Sequence, residues 1–298
     1  MKYFLLDRKM EKFMKFLLTL TLVFAFVITT ATAQETPNTL NQIKQTGKIR
    51  IGFRESEPPM SFLNKEGKPI GYSIDLCNRI VAGVKNAIGK EINVEYIPVT
   101  AHNRFDALVE NKIDILCGST TKTMSRSKLV DFTQTTFVTG ASLMTLKGKE
   151  FNELSALDGK KVGVVRDTTT LVTLKSMLKE TLTDAEVVTF DTALEAVDAL
   201  RKGKIAAYSS DQVVLIGLVI TAEDGDSFSI SPQVFSFEPF ALAVDRNDAD
   251  FRWVADSVLS KLNRTGQVNQ IYNKWFGGFS KERPPLHSAL YQLNATPE

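Results

Sequence analysis

Cysteine and histidine are scarce in this chain, whose 298 residues include only two of each. So few thiols and imidazoles leave little material for a multi-ligand zinc site and exclude a disulfide-dense miniprotein. The formal net charge of +2 at pH 7 gives no basic footprint of the kind that nucleic acid requires. The nucleophile-elbow, HExxH and P-loop patterns are also missing. We therefore predict no metal site, no cofactor and no nucleic-acid partner.

The first 33 residues differ in composition from the rest of the chain. Residues 1–15 are basic, residues 16–28 form an apolar run interrupted only by threonine, and Ala31-Thr32-Ala33 follows. A basic start, an apolar middle and an A-x-A end are typical of a secretory signal peptide. We predict export with cleavage after Ala33. The alternative is a membrane anchor, for which the apolar run is short.

Beyond this segment, the hydropathy pattern alternates between strands and helices. Residues 48–53 alternate polar and apolar side chains, as a strand does, and the apolar positions from Leu76 to Ile88 recur every four residues, as on one helix face. The pattern restarts at Lys161. Alternating strands and helices predict an α/β fold, and the length is enough for two domains. The tail after Gly277 is rich in proline and polar residues, and we expect it to pack loosely.

An internal repeat favours two similar halves. The segments 106–114 and 198–206 share the pattern Asp-Ala-Leu followed by Lys-Ile, and each runs from a helix end through a turn into a strand. The same offset pairs Ser119 with Asp211. The alternative is chance similarity, since α/β proteins reuse this helix–strand junction. The repeat predicts that one α/β design occurs twice.

Polar residues follow the predicted strands at their carboxyl ends. In the first half these are Arg54 and residues 118–121, and in the second half they are residues 166–169 and 209–211. Open α/β sheets bind ligands outside the carboxyl ends of their strands. Two halves that face each other would therefore place these four loops around one cleft.

A series of short motifs resembles a known family. Each motif is weak alone, but the ordered set is specific, and it spans roughly residues 38–278. The set is Gly47–Gly52, Gly71–Leu76, Asn111–Asp114, Thr121–Arg126, Val130–Phe132, Leu157–Lys161, Thr168–Thr169, Asp211 and Trp275–Phe276. The chain resembles the family 3 periplasmic solute-binding proteins of amino-acid ABC importers. Phe53–Ser56, His102–Arg104 and Cys117–Thr121 resemble the glutamate/aspartate-binding branch.

The resemblance implies a two-lobed α/β fold of the periplasmic-binding-protein type II class. Two crossing strands, near residues 139–146 and 236–243, would join the lobes and leave a ligand cleft between them. Lobe one is expected at 38–141 plus 241–298, and lobe two at 142–240. The implied function is capture of L-glutamate or L-aspartate in the periplasm, hinge closure and delivery to a membrane permease. The implied protein is a monomer and has no catalytic residues.

The resemblance also assigns residues to the ligand's α-carboxylate. Arg126 matches the family's arginine for this group, and its planar guanidinium is suited to bind a carboxylate through two parallel hydrogen bonds. Thr121, Thr168 and Thr169 are expected to assist. The alternatives are a solvated arginine in a basic surface run and threonines that only cap helices.

The ligand ammonium is assigned to Asp211, with Ser119 opposite it. The alternatives are that Asp211 caps the following helix and that Ser119 is a turn residue. Arg54 and Arg104 would lack a partner beside a neutral amino acid, and buried charges require one. They therefore favour a ligand with a second carboxylate. Their alternatives are an exposed arginine at a helix start for Arg104 and a pairing with Glu55 or Glu57 for Arg54.

Two departures from the family leave glutamate versus aspartate open. Asp167 stands where many members have glycine, and its charge would disfavour a nearby carboxylate unless it points away. No histidine lies between His102 and His287, although some acidic-amino-acid binders use one from lobe two.

The two cysteines, Cys77 and Cys117, form a matched pair in an exported protein. An oxidising compartment favours a disulfide between them, which would be a covalent crosslink within lobe one. The alternative is two buried free thiols.

Other functions also fit the sequence. One is a binding protein for glutamine or another polar amino acid. Another is a periplasmic enzyme on the same fold, similar to cyclohexadienyl dehydratase, which would need a general acid or base aimed at its substrate. Three arginines with one ammonium-binding acid fit recognition better than catalysis.

Overall fold

The computed structural model describes residues 38–151, 153–279 and 282–298, so the predicted signal peptide lies outside the described residues. Two five-stranded sheets organise the chain. The first contains, in spatial order, β5 (Asn93–Pro98), β1 (Lys48–Phe53), β6 (Ile115–Cys117), β13 (Glu238–Val244) and β7 (Asp131–Thr139). The second contains β10 (Glu186–Phe190), β9 (Lys161–Val165), β11 (Ala207–Asp211), β8 (Ala141–Leu146) and β12 (Phe228–Ile230). A small sheet of β2 (Ser56–Glu57), β3 (Ser61–Leu63) and β4 (Pro69–Ile70) follows β1.

The two large sheets repeat one topology. β1 pairs in parallel with β5 and β6, and β9 pairs in parallel with β10 and β11. In each sheet the remaining two strands are antiparallel additions, β13 and β7 in the first and β8 and β12 in the second. The sequence repeat therefore corresponds to equivalent helix–strand junctions, which lead into β6 and β11.

Nine α-helices lie in the described part of the chain. They are α1 (Thr39–Thr46), α2 (Tyr72–Ile88), α3 (Arg104–Val109), α4 (Thr169–Glu180), α5 (Ala193–Arg201), α6 (Gln212–Thr221), α7 (Ala249–Arg264), α8 (Gln267–Phe276) and α9 (Pro285–Leu293). Helices α2, α7 and α9 pack with the first sheet, and we call this unit the first lobe. Helices α4, α5 and α6 pack with the second sheet, the second lobe. None of the described helices is long and apolar enough to cross a membrane.

The chain passes between the sheets twice. It leaves the first sheet at Gly140, between β7 and β8, and it returns through residues 231–237 into β13. The two passages lie side by side, because a Cβ on Gly140 would come within 2.3 Å of the Ser236 carbonyl oxygen. Only a residue without a side chain permits this approach. Two neighbouring segments thus form the connection between the lobes.

The first lobe carries two internal ties. Cys77 on α2 and Cys117 at the end of β6 are joined by a disulfide, with Cα atoms 6.4 Å apart. The expectation of a loosely packed tail is wrong, because α9 packs against β7 and buries His287 and Tyr291. Tyr291 Oη lies 2.9 Å from Tyr72 Oη. Proline at the first position of α9 suits a helix start, since the missing N–H has no helical partner there.

Candidate ligand-binding cleft

A cleft that is partly open to solvent lies where strands of both sheets end. β1, β6, β9 and β11 run parallel to a neighbour and deliver the loops that follow them to this edge. All eight residues predicted to contact the ligand line it: Arg54, Arg104, Ser119, Thr121, Arg126, Thr168, Thr169 and Asp211. The structure therefore brings together residues that are far apart in the sequence. It adds one charged residue to the lining that the sequence does not indicate as part of the site, Glu57.

Arg126 begins a short 3₁₀ turn, Arg126–Lys128, and is half-buried. Its Nη1 donates to the Thr121 carbonyl at 2.8 Å, and its guanidinium lies 5.3 Å from the Phe105 ring centre. Burial lowers the pKa of Arg126, and the carboxylates of Glu238 and Asp211 oppose that shift. Among the described residues no carboxylate forms an ion pair with this guanidinium, so it is available to an anion in the cleft.

Thr168 provides the N-cap of α4. Its Oγ1 accepts from Leu171 N at 3.2 Å and donates to the Val165 carbonyl at 2.7 Å. Thr168 therefore caps α4, a role that is compatible with binding. The cap places the start of α4, with Thr169 and Thr170, on the cleft wall. A helix N-terminus with free N–H groups favours an anion there.

Glu238 joins the lobes inside the cleft region, and sequence reasoning does not identify it. Its Oε2 accepts from Thr121 Oγ1 at 2.6 Å and from Thr169 Oγ1 at 2.8 Å, while Oε1 accepts from Ser236 Oγ at 2.8 Å. The hydroxyls of both threonines are thus engaged by a protein carboxylate. No sequence signal indicates this contact, since Glu238 is only the first residue of an otherwise apolar strand.

Asp211 occupies the N-cap position of α6, but its side chain makes no capping bond. It is 9% exposed, and Oδ1 is buried with no hydrogen-bond partner in the described part of the chain. Burial raises the pKa of Asp211 well above its usual value, and the carboxylates of Glu238 and Glu57 raise it further. The capping alternative is not realised, and a cation in the cleft would find this carboxylate free.

Arg104 and Arg54 differ in their partners. Arg104 is 2% exposed, so the exposed alternative is wrong. Its Nη1 and Nη2 donate to the carbonyls of Ala101 at 2.5 Å and Asp167 at 3.2 Å, and Nε has no partner among the described residues. Burial, then the charges of Arg54 and Arg126, lower the pKa of Arg104 well below its usual value. Arg54 instead pairs with Glu57, Nη2 to Oε1 at 2.9 Å.

Asp167 lies at the rim. Its backbone has a φ of 57°, the left-handed region where glycine is favoured, which accounts for glycine being acceptable at this position. Its Oδ2 is 2.9 Å from His102 Nδ1, and both side chains are exposed. The carboxylate is therefore directed to a partner at the surface, and only its carbonyl reaches Arg104.

Several proteins of known function are similar to this chain. The chain is 34% identical over 262 residues to the L-glutamate/L-aspartate-binding protein of Pseudomonas aeruginosa, covering 87% of each chain. It is 30% identical over 240 residues to the glutamate/aspartate import solute-binding protein of Escherichia coli K12, covering 80% of each. An ancestral arginine-binding protein bound to glutamine superposes with a TM-score of 0.69 at 30% identity, covering 78% of this chain and 98% of that one. Residues 49–278 match the profile of one family, and the chain belongs to it: the bacterial extracellular solute-binding proteins, family 3.

Proposed function

We propose that this protein binds L-glutamate or L-aspartate and delivers it to the membrane permease of an ABC importer. One observation carries the proposal: Arg104 and Arg126, neither in an ion pair within the described chain, share a cleft with the unpartnered carboxylate of Asp211. An acidic amino acid supplies two carboxylates and one ammonium, which matches these three groups. Both relatives described above are glutamate/aspartate-binding proteins, which supports the same ligands for this chain.

The ligand's α-carboxylate binds Arg126 in this proposal. The N–H groups at the start of α4, beside Thr168 and Thr169, add hydrogen bonds, and Thr121 contributes through its backbone because its hydroxyl is held by Glu238. The ammonium binds Asp211 with Ser119 facing it. The second carboxylate lies on the side of Arg104 and Arg54, and the pairing of Arg54 with Glu57 makes Arg104 its first contact.

The transport cycle requires the lobes to open and close around the ligand. We place lobe one at 38–141 plus 241–298 and lobe two at 142–240, with hinge motion at the two crossing segments. Export to the periplasm, cleavage after Ala33 and a monomeric state belong to the same proposal.

Calorimetry with the mature protein tests the ligand. Glutamate, aspartate, glutamine and arginine are titrated separately, and we expect the two acidic amino acids to bind at least about tenfold more tightly than the others, since loss of one charged hydrogen bond costs about that much. Tight glutamine binding without glutamate binding would overturn the ligand assignment. Turnover of prephenate or arogenate by the same preparation would indicate an enzyme instead.

Arg126→Ala tests the site. The variant should lose binding of every amino acid by at least about thirtyfold, because it leaves the α-carboxylate without its charge partner. Lys128→Ala, an exposed cation two residues away, is the matched control. Retained affinity in Arg126→Ala would remove this residue from the site.

A further inference from the structure

Glu57 is a buried acid in a cleft that is proposed to take an anionic ligand. It lies on β2, is 6% exposed and lines the cleft. Its Oε1 accepts from Arg54 Nη2 at 2.9 Å, and its Oε2 accepts from Ser119 Oγ at 3.3 Å. Both carboxylate oxygens thus face groups that the sequence assigns to the ligand.

Because of Glu57, the three arginines of the cleft differ in whether they have an anionic partner. Arg54 and Glu57 form a buried ion pair, and the backbone of Arg54 is fixed by Ser61, whose Oγ accepts from Arg54 N at 2.9 Å. Neither Arg104 nor Arg126 has a carboxylate partner among the described ion pairs. A ligand with two carboxylates therefore matches the two unpaired arginines, and Arg54 already has an anion of its own.

Glu57 also acts on the acid that is proposed to bind the ligand ammonium. Its charge is one of those that act on Asp211, together with Glu238, and it acts on Arg104 as well. The carboxylates of Glu57 and Asp211 both line the cleft, and together they favour an ammonium there. The same two charges repel an anion that carries no ammonium group.

We propose that Glu57 is a specificity-determining residue. It holds Arg54 away from the ligand, so that only Arg104 and Arg126 bind carboxylates. Its negative charge also makes the cleft require a ligand with an ammonium beside Asp211. This inference rests on the proposed function and refines it. Its distinguishing consequence is that removal of the Glu57 charge releases Arg54 to the ligand, so the cleft becomes more selective for anions.

Glu57→Gln keeps the shape of the side chain and removes its charge. Titrations with glutamate, glutamine and glutarate, a dicarboxylate without an ammonium, measure the result. We expect the Kd for glutamine divided by the Kd for glutamate to rise by about tenfold, since Arg54 gains a charged hydrogen bond with the ligand's second carboxylate. Glutarate should bind more tightly by a similar factor. Glu55→Gln is the matched control, because Glu55 is exposed and two residues away, and it should leave both values unchanged.

A second variant separates charge release from a change in shape. In Glu57→Gln combined with Arg54→Gln, the selectivity should return to the wild-type ratio, because the released arginine is gone. An unchanged glutamine-to-glutamate ratio in Glu57→Gln, with a wild-type melting temperature, would overturn the inference. If the wild type binds neither acidic amino acid, the proposed function fails separately, and a gain of glutamate or glutarate binding in Glu57→Gln would still support the role of Glu57.

Discussion

At the scale of single residues, Asp211, which we propose as the partner of the ligand ammonium, is buried at a cost to stability. Its carboxylate is buried beside Glu238 and Glu57, with Oδ1 lacking a partner among the described residues. Because the pKa of Asp211 is raised on folding, the folded state disfavours the ionised form. The resulting cost is absent below the unfolded pKa of about 3.9 and develops as pH rises toward the folded value. A ligand ammonium would relieve it.

Asp211→Asn should therefore have opposite effects on stability and binding. Without ligand at pH 7, we expect the melting temperature to rise by about 2–4 °C, the shift that about 1 kcal/mol gives in a chain of this size. Binding of any α-amino acid should weaken by at least about thirtyfold, since the ammonium loses its charge partner. Calorimetry and thermal melts of one preparation measure both. A lower melting temperature in the unliganded variant would contradict this account of Asp211.

The position of a residue after a strand locates part of the site from the sequence, and the family resemblance adds Arg104 and Arg126, which lie at a helix start and in a 3₁₀ turn. Arg54 directly follows the apolar end of β1, and Thr168 and Asp211 lie within three residues of the apolar parts of β9 and β11, so the rule for open α/β sheets locates them. Glu57 and Glu238 lie in short or ordinary segments, and their carboxylates meet the cleft only through tertiary packing. Periodicity carries no information on which distant acids converge, so the balance of charge in the cleft required the structure.

At the scale of secondary-structure elements, the disulfide ties α2 to β6. The two cysteines are 40 residues apart in sequence. In the chain-entropy model, closing a loop of that length raises the free energy of the unfolded chain by about 4 kcal/mol. We expect the Cys77→Ala, Cys117→Ala variant to lose about 2–4 kcal/mol in urea unfolding. Glutamate affinity should change little, because both residues lie within the first lobe. A large loss of affinity with folding intact would show that the bond shapes the cleft.

Helix α9 holds β7 close to the point where the chain crosses between lobes. His287 Nε2 lies 2.9 Å from the Val138 carbonyl, two residues before Gly140, and its ring is 4.3 Å from the ring centre of Phe137. Burial lowers the pKa of His287, and nearby Arg283 lowers it further, while the Val138 carbonyl opposes both. The docked helix therefore buries a neutral imidazole.

This arrangement predicts acid sensitivity. A folded pKa below the unfolded value of about 6.5 means that the unfolded chain binds the proton more tightly, so the contribution of His287 is present above pH 6.5 and is lost as pH falls. Urea unfolding of the variants His287→Asn and His102→Asn should separate the contributions of the two histidines. We expect His287→Asn to be less stable at pH 7.5 and to lose less on acidification to pH 5.5. An identical pH dependence in His287→Asn and wild type would refute the assignment.

Elements with a clear period could be predicted, and those without one could not. The apolar repeat of α2 and the alternation of β1 are visible in the sequence, and both occur close to the expected bounds. The small sheet β2–β4 has strands of two or three residues, too short for any period, in a segment rich in proline and glycine. Thr192 caps α5, although the neighbouring Asp191 is equally suited by residue type. When two adjacent residues can both cap a helix, the backbone geometry determines which of them does so.

At the scale of the whole molecule, the lobes touch at several points beside the candidate cleft. Glu238 links Thr121 and Thr169, and Arg104 reaches the Asp167 carbonyl. At another point α6 of the second lobe approaches the loop after β2, where a Cβ on Gly217 would lie 2.2 Å from the Pro58 carbonyl oxygen and 2.7 Å from Pro59 Cδ. In the hinge motion that we propose, these contacts form when the lobes come together, so they correspond to the closed arrangement.

Gly217→Ala should consequently oppose closure while each lobe still folds. Alanine suits a helix interior better than glycine, so α6 itself should be stabilised by about 0.5–1 kcal/mol. The added methyl cannot coexist with the backbone of Pro58 at the observed separation, so the open arrangement is favoured. We expect all amino-acid ligands to bind more weakly by a common factor of about tenfold or more, because the closed form that binds them is less populated. The ratio of the Kd values for glutamate and glutamine should stay unchanged.

X-ray scattering with saturating glutamate should give a larger radius of gyration for Gly217→Ala than for wild type. Gly278→Ala, where a Cβ meets no atom within 4 Å, is the control. A change in selectivity, or wild-type affinity with wild-type compaction, would mean that the approach of α6 to Pro58 does not accompany ligand binding.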